Sequence, residues 1–230
     1  MKSSSTDGEN RASADGTGTD RLEAFSDAVM AIAVTILVLE FKVPEGPPEA
    51  TEWRLEHGLA AQWPSYVAYA MSFVVLGLTW ASHHRVFRYI NRVDWRFLLL
   101  NLLFLMVVAF VPYPTALVAK YLASETGRSI AVTFYGGLMT AFAMTYNALW
   151  WYASAGGRLL VADVDPQAVR RVTRQFAVAL IGYSVTTVVA FFQPVLSLVL
   201  FVALAMISAI APAIARQTPG DRGDPSLRSG

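Results

Sequence analysis

Long stretches without a single charge constrain this chain more than any other feature. Phe97 to Ala119 is 23 uncharged residues, Ser129 to Gly157 is 29, and Gln175 to Ala215 is 41, with Gln193-Pro194 near the middle of the last. Pro64 to Ser82 adds 19 more. A bilayer span needs roughly 20 apolar residues, so the 41-residue run reads as two spans with a tight turn at Gln193-Pro194. The stretch from Arg21 to Val43 carries Glu23 and Asp27 near its start, but its body, AVMAIAVTILVL, is uncharged. In lipid every backbone polar group has to be satisfied within its own segment, which favours helices. The reading is an all-α integral membrane protein with six transmembrane helices, at about 21–43, 63–83, 97–119, 129–155, 173–192 and 194–215. Composition agrees: 55% of residues are hydrophobic and 15% charged, with a mean hydropathy of +0.44, against about 25% charged in soluble domains.

Residues 1–20 and 216–230 are small and polar and cannot bury enough surface to order themselves. They read as disordered tails around a six-helix membrane domain at 21–215. The basic residues are unevenly shared among the connections. The amino tail has Lys2, Arg11 and Arg21, and the second loop Arg85, Arg88, Arg92 and Arg96. The fourth loop has Arg158, Arg170, Arg171 and Arg174, and the carboxyl tail Arg216, Arg222 and Arg228. That puts 14 on one side and 4 (Lys42, Arg54, Lys120, Arg128) on the other. Positive charge stays cytoplasmic, so both termini are expected inside. Glu40, Glu45, Glu49, Glu52 and Glu56 crowd the first outer loop, either as a cation-concentrating mouth or as a merely soluble loop.

Several function classes fall away. There is no cysteine and there are three histidines, His57, His83 and His84, so thiolate chemistry and a multi-histidine metal centre are excluded and no cofactor is expected. A net charge of +1 gives no footprint for nucleic acid. An enzyme would need clustered carboxylates or histidines inside the spans, and only Asp27 and His83-His84 are available.

The first span holds the candidate chemistry. An ionisable residue inside a span is a functional candidate by default, and Asp27 is one; Asp27 with Ser26 equally reads as a helix cap near the interface. At about 100° per residue, Ile32, Ile36 and Leu39 fall within roughly 60° of one another, with Thr35 at the margin. Asp27 lies about 140° round from Ile32. One face is thus a narrow apolar stripe, and the carboxylate points elsewhere.

The stretch RLEAFSDAVMAIAVTILVLEFKVP resembles the opening helix of the transmembrane protein 175 family, the lysosomal potassium channel and its bacterial relatives. The resemblance is carried by Arg21, Phe25, Ser26 and Asp27 in R-x-x-x-F-S-D, then A-I-A-x-T-x-L-V-L, with TWASHHRVFRYINRVD and FVPYPTALVAKYL following in order. The motif occurs once, which implies the single-repeat form and a homotetramer around a central pore lined by the first helix. The resemblance further implies a constriction of bulky side chains at Ile32, Ile36 and Leu39, with Thr35 as the nearby polar lining residue, and no TVGYG-type filter. It also implies a buried polar network of Arg21, Ser26 and Asp27 with Trp80 and one of His83 or His84. The expected function is passive potassium conduction in a prokaryotic cytoplasmic membrane, with K⁺ as permeant ion, lipid and other copies of the chain as partners, and no bound metal. The alternative is a proton-coupled secondary transporter using Asp27.

Overall fold

The computed structural model describes the backbone of residues 4–45, 54–162 and 164–214, and side chains within residues 18–45, 54–162 and 164–207. The carboxyl tail expected at 216–230 lies outside the described residues. In chain order the helices are α1 (Ser4–Ile36), α2 (Leu55–Ala61), α3 (Trp63–Phe87), α4 (Trp95–Phe110), α5 (Pro112–Tyr121), α6 (Arg128–Ser154), α7 (Pro166–Phe192) and α8 (Pro194–Ile214). No strand occurs among the described residues; a single antiparallel bridge joins Ile90 to Leu160. The backbone of α1 begins within the polar segment that was expected as a tail.

Among the described residues, four segments are long and apolar enough to cross a membrane: Gly18–Glu40, Trp63–Phe87, Trp95–Tyr121 and Pro166–Phe192. The other two expected spans form α6 and α8. α6 has the length, at 27 residues, but it is the interior helix, packed on α4, α5, α7 and α8. A helix walled by protein has less need of apolar side chains. Its Asn147 donates to the carbonyls of Ala143 and Phe176, both at 2.9 Å, and its Thr140 meets Thr187 at 3.0 Å.

Local chemistry sets the helix ends. α1 tightens into a 3₁₀ turn, Leu37–Glu40, and Phe41 then turns extended (φ −74°, ψ 121°), two residues ahead of Val43-Pro44. Pro112 has no amide hydrogen, so the third span breaks between α4 and α5. The Thr115 amide and hydroxyl both donate to the Val111 carbonyl, at 3.2 and 2.8 Å, which keeps the break to one residue. Asp94 caps α4 by accepting from the Phe97 amide at 2.8 Å, and Asp165 caps α7 by accepting from that of Gln167, also at 2.8 Å. The chain reverses at Gln193, ahead of Pro194, as expected.

The core is aromatic around α6. Phe104 stacks on Tyr146 with centroids 5.0 Å apart, and Tyr146 meets Phe176 at 4.8 Å. Trp150 is 1% exposed and donates its indole N–H to Thr173 Oγ1 at 2.9 Å. Its neighbour Trp151 faces out.

The two glycine pairs serve different ends. Gly156 and Gly157 turn the chain after α6 at φ 69° and 67°, where a side chain would be strained. Gly136 is a close-approach site: a Cβ there would lie 2.8 Å from the Phe201 ring and 3.2 Å from Thr187 Cα, whereas one at Gly137 would meet nothing within 4 Å. Gly136→Val should therefore cost about 1–3 kcal/mol by overpacking. Gly137→Ala should be neutral or stabilising by up to about 1 kcal/mol through helix propensity. Thermal unfolding in detergent distinguishes the pair; equal effects would refute the packing argument.

Candidate functional site

α1 presents two faces. Leu22, Ser26, Met30, Ala33 and Leu37 are buried, and at about 100° per residue they fall within roughly 80° of one another. This is the face packed on α3, α4 and α5. The expected stripe lies wholly outside it: Ile32 is 57% exposed, Ile36 40% and Leu39 75%, and Thr35 is exposed as well. The Thr35 hydroxyl donates to the Ile32 carbonyl at 2.9 Å, a local bond that satisfies the group within the helix. Within one chain nothing covers the stripe.

Polar links tie the middle of α1 to α3 and α4. The deepest runs through the protein interior. His83, Asn101 and Ser26 are each 0% exposed. His83 Nε2 lies 3.2 Å from Asn101 Oδ1, Asn101 Nδ2 donates to Ser26 Oγ at 2.9 Å, and Ser26 donates to the Leu22 carbonyl at 2.8 Å. Because Asn101 Oδ1 can only accept, His83 carries its proton on Nε2, and every link from α3 through α4 to α1 has one donor and one acceptor. The imidazole is sandwiched by rings: Phe104 lies 5.6 Å away and nearly parallel at 8°, and Phe87 4.4 Å away.

Nearer the surface, the Trp80 indole donates to Asp27 Oδ1 at 3.0 Å. A carboxylate in a membrane helix needs such donors to offset desolvation. Beside it, His84 Nδ1 lies 2.6 Å from Glu23 Oε1, and the Trp80 and His84 rings stack with centroids 6.3 Å apart. Both histidines therefore reach α1, His83 through Asn101 and His84 through Glu23.

Of the residues implied for the network, Ser26, Asp27, Trp80, His83 and His84 all make polar links to the contact between α1 and its neighbours. Arg21 and Phe25 are placed on the exposed side of α1, Phe25 at 50%. Among the described residues Arg21 has no hydrogen-bond or ion-pair partner. Sequence reasoning missed Glu23 and Asn101. Asn101 had a signal, as the one amide in α4, where every other residue after Arg96 is apolar. Glu23 had one too, three residues before Ser26 and so on the same side of α1. Among the described residues no group of three or more His, Asp or Glu side chains is placed to hold a metal ion.

The arginine-rich connections meet at one end of the bundle. The Asn91 amide donates to the Leu159 carbonyl at 2.8 Å, and the Val161 amide to that of Tyr89 at 3.0 Å. The Thr19 hydroxyl at the start of the first span lies 3.4 Å from the Asn91 carbonyl. The contacts thus gather the start of the first span and the second and fourth loops on the same side.

Comparison with known proteins places these observations in a lineage. The family model described as the endosomal/lysosomal potassium channel TMEM175 matches residues 21–112. A potassium channel of Streptomyces collinus is 46% identical over 178 residues, covering 77% of this chain and 85% of the other. A potassium channel of Chamaesiphon minutus is 44% identical over 158 residues, covering 69% and 77%. The crystal structure of a lysosomal potassium-selective channel TMEM175 homolog from Chamaesiphon minutus superposes with a TM-score of 0.76 at 37% identity, covering 85% of this chain and 98% of that one.

Proposed function

The chain belongs to the family of the endosomal/lysosomal potassium channel TMEM175, and on that premise we propose that four copies form a potassium-permeable pore lined by α1. One observation carries the reading. α1 buries one face completely and leaves Ile32, Thr35, Ile36 and Leu39 open along the other, so a symmetric assembly can turn that stripe inward without unpacking the subunit. Six spans, formed by α1, α3, α4 with α5, α6, α7 and α8, surround the pore, and no TVGYG-type filter takes part. The basic end faces the cytoplasm of a prokaryotic cell and both termini lie there.

Conduction then proceeds through a hydrophobic constriction. A ring of Ile and Leu excludes water when narrow and admits a partly hydrated cation when the side chains or helices move outward. The more strongly hydrated Na⁺ meets the larger penalty, which gives a potassium preference without carbonyl coordination. The Ser26–Asn101–His83 string, with the Trp80–Asp27 and His84–Glu23 links, holds α1 so that the stripe keeps its rotation. Asp27 is a positioning group in this scheme rather than a carrier of protons.

The test is cation flux from proteoliposomes loaded with purified protein. Downhill K⁺ flux that exceeds Na⁺ flux, does not saturate and needs no proton gradient is the expected result. Flux that saturates and requires a proton gradient would instead identify a coupled carrier working through Asp27.

A further inference from the structure

We propose that the arginine-rich end of the bundle holds the headgroup of an anionic phospholipid, bound by Arg96 and Arg158 beside the Asp94–Tyr152 hydrogen bond, with an acyl chain lying along α4. The inference rests on the membrane reading of the chain and is independent of whether the pore conducts.

The headgroup end is built by a single carboxylate. Asp94 Oδ1 accepts from the Phe97 amide at 2.8 Å, and Oδ2 accepts from the Tyr152 hydroxyl at 2.6 Å. The second bond ties the start of α4 to the end of α6. It brings Arg96, on the first turn of α4, near Arg158, four residues past α6. The Arg158 guanidinium sits over the Tyr152 ring, 5.5 Å from its centroid.

Burial alone would raise the Asp94 carboxyl. The hydrogen bonds from Tyr152 and Phe97, with the fields of Arg158 and Arg96, outweigh it and hold the group below its ordinary value. Both arginines thus lie close enough to act on Asp94, yet its two oxygens are already engaged. Neither arginine has an ion-pair partner among the described residues, and both are exposed. Two cations against one committed carboxylate leave a net positive site for a phosphodiester.

The depth is right for a headgroup. Trp95 opens the span Trp95–Tyr121 and is 69% exposed, and Trp151, next to Tyr152, is 71% exposed. Exposed indoles of this kind mark the membrane interface. From there a continuous apolar track leads inward. Trp95, Leu99, Leu102 and Met106 are 69%, 46%, 40% and 63% exposed, and their spacing keeps them within roughly 60° of one another on α4. Charge at the interface and an unbroken apolar stripe below it match an anionic lipid, whereas a soluble anion would use only the first.

The experiment reconstitutes the full chain in phosphatidylcholine vesicles with increasing phosphatidylglycerol, one lipid brominated on its acyl chains, and reads tryptophan quenching. Brominated phosphatidylglycerol should quench more than brominated phosphatidylcholine at equal mole fraction. Each surface arginine contributes about fivefold to binding of anionic lipid, so Arg158→Gln should lower the relative phosphatidylglycerol affinity about fivefold and Arg96→Gln/Arg158→Gln about 25-fold. Arg96→Lys/Arg158→Lys should retain most of it, and Arg54→Gln at the other end should change nothing. An unchanged preference in the double glutamine variant would overturn the proposal. So would loss of the preference on adding millimolar inorganic phosphate, which would identify a soluble anion site. Equal, weak quenching by both lipids would mean that a second copy of the chain covers α4, and would overturn it too.

Discussion

Ile36→Asn should raise K⁺ flux through proteoliposomes by about tenfold and bring the K⁺ and Na⁺ rates close together. Ile36 stands midway between Ile32 and Leu39 on the open stripe and is 40% exposed in a single chain, so a substitution there disturbs less intramolecular packing than one on the buried face of α1. Four copies of an amide at one level would keep a narrow ring wet. A hydrophobic gate derives its barrier from the cost of wetting, and removing about 1.4 kcal/mol of that barrier is a tenfold change in rate. The same change removes the discrimination, because an amide oxygen can replace lost hydration for Na⁺ as well as for K⁺. Leu39→Asn should act in the same direction. Ala33, buried on the packed face of the helix, provides the contrast: Ala33→Ser should leave the K⁺/Na⁺ ratio unaltered. Currents unchanged by Ile36→Asn would eliminate a constriction at this level.

The second large effect concerns stability. Asn101→Leu should destabilise the subunit by about 1–3 kcal/mol, the cost of leaving a buried donor without an acceptor. The substitution conserves bulk but removes the middle of the string, so the His83 Nε2–H faces no acceptor in a site that is 0% exposed. His83→Phe should cost less. A phenyl ring continues the stack formed by Phe87 and Phe104 and orphans only the Asn101 carbonyl oxygen. Carbonyl acceptors tolerate this better than donors do. Thermal unfolding in detergent of the two variants, with subunit counting, reads the order. If His83→Phe proved the more damaging, the string would not be the element that holds α1.

Much of the fold was legible because the solvent imposes it. Charge-free runs longer than a bilayer is thick leave the backbone no choice but helix, and Pro112 and Gln193-Pro194 broke or turned the chain where an amide was missing. The stripe of Ile32, Ile36 and Leu39 followed from helical geometry, and its exposure in the single subunit came from the structure. Other positions were not legible, for a common reason. Trp150 and Trp151 are adjacent and chemically identical, yet one is core and the other faces out, since a rotation of about 100° separates them. Gly136 and Gly137 divide in the same way, one against Phe201 and the other against nothing.

Sequence by itself determined the class of molecule, the turn at Gln193-Pro194, the uneven placement of arginine and the apolar stripe of the first span. Each of these depends on local chemistry: hydropathy, missing amides, charge and a fixed angular step. Only the tertiary structure decided which polar groups meet. Asn101 is 75 residues from Ser26 and 18 from His83, and nothing local in the chain says that one side chain of α4 reaches both α3 and α1. It also assigned both histidines, His83 to the buried string and His84 to Glu23. Partner choice in a helical bundle depends on the rotation and depth of every helix at once, and those are fixed by packing.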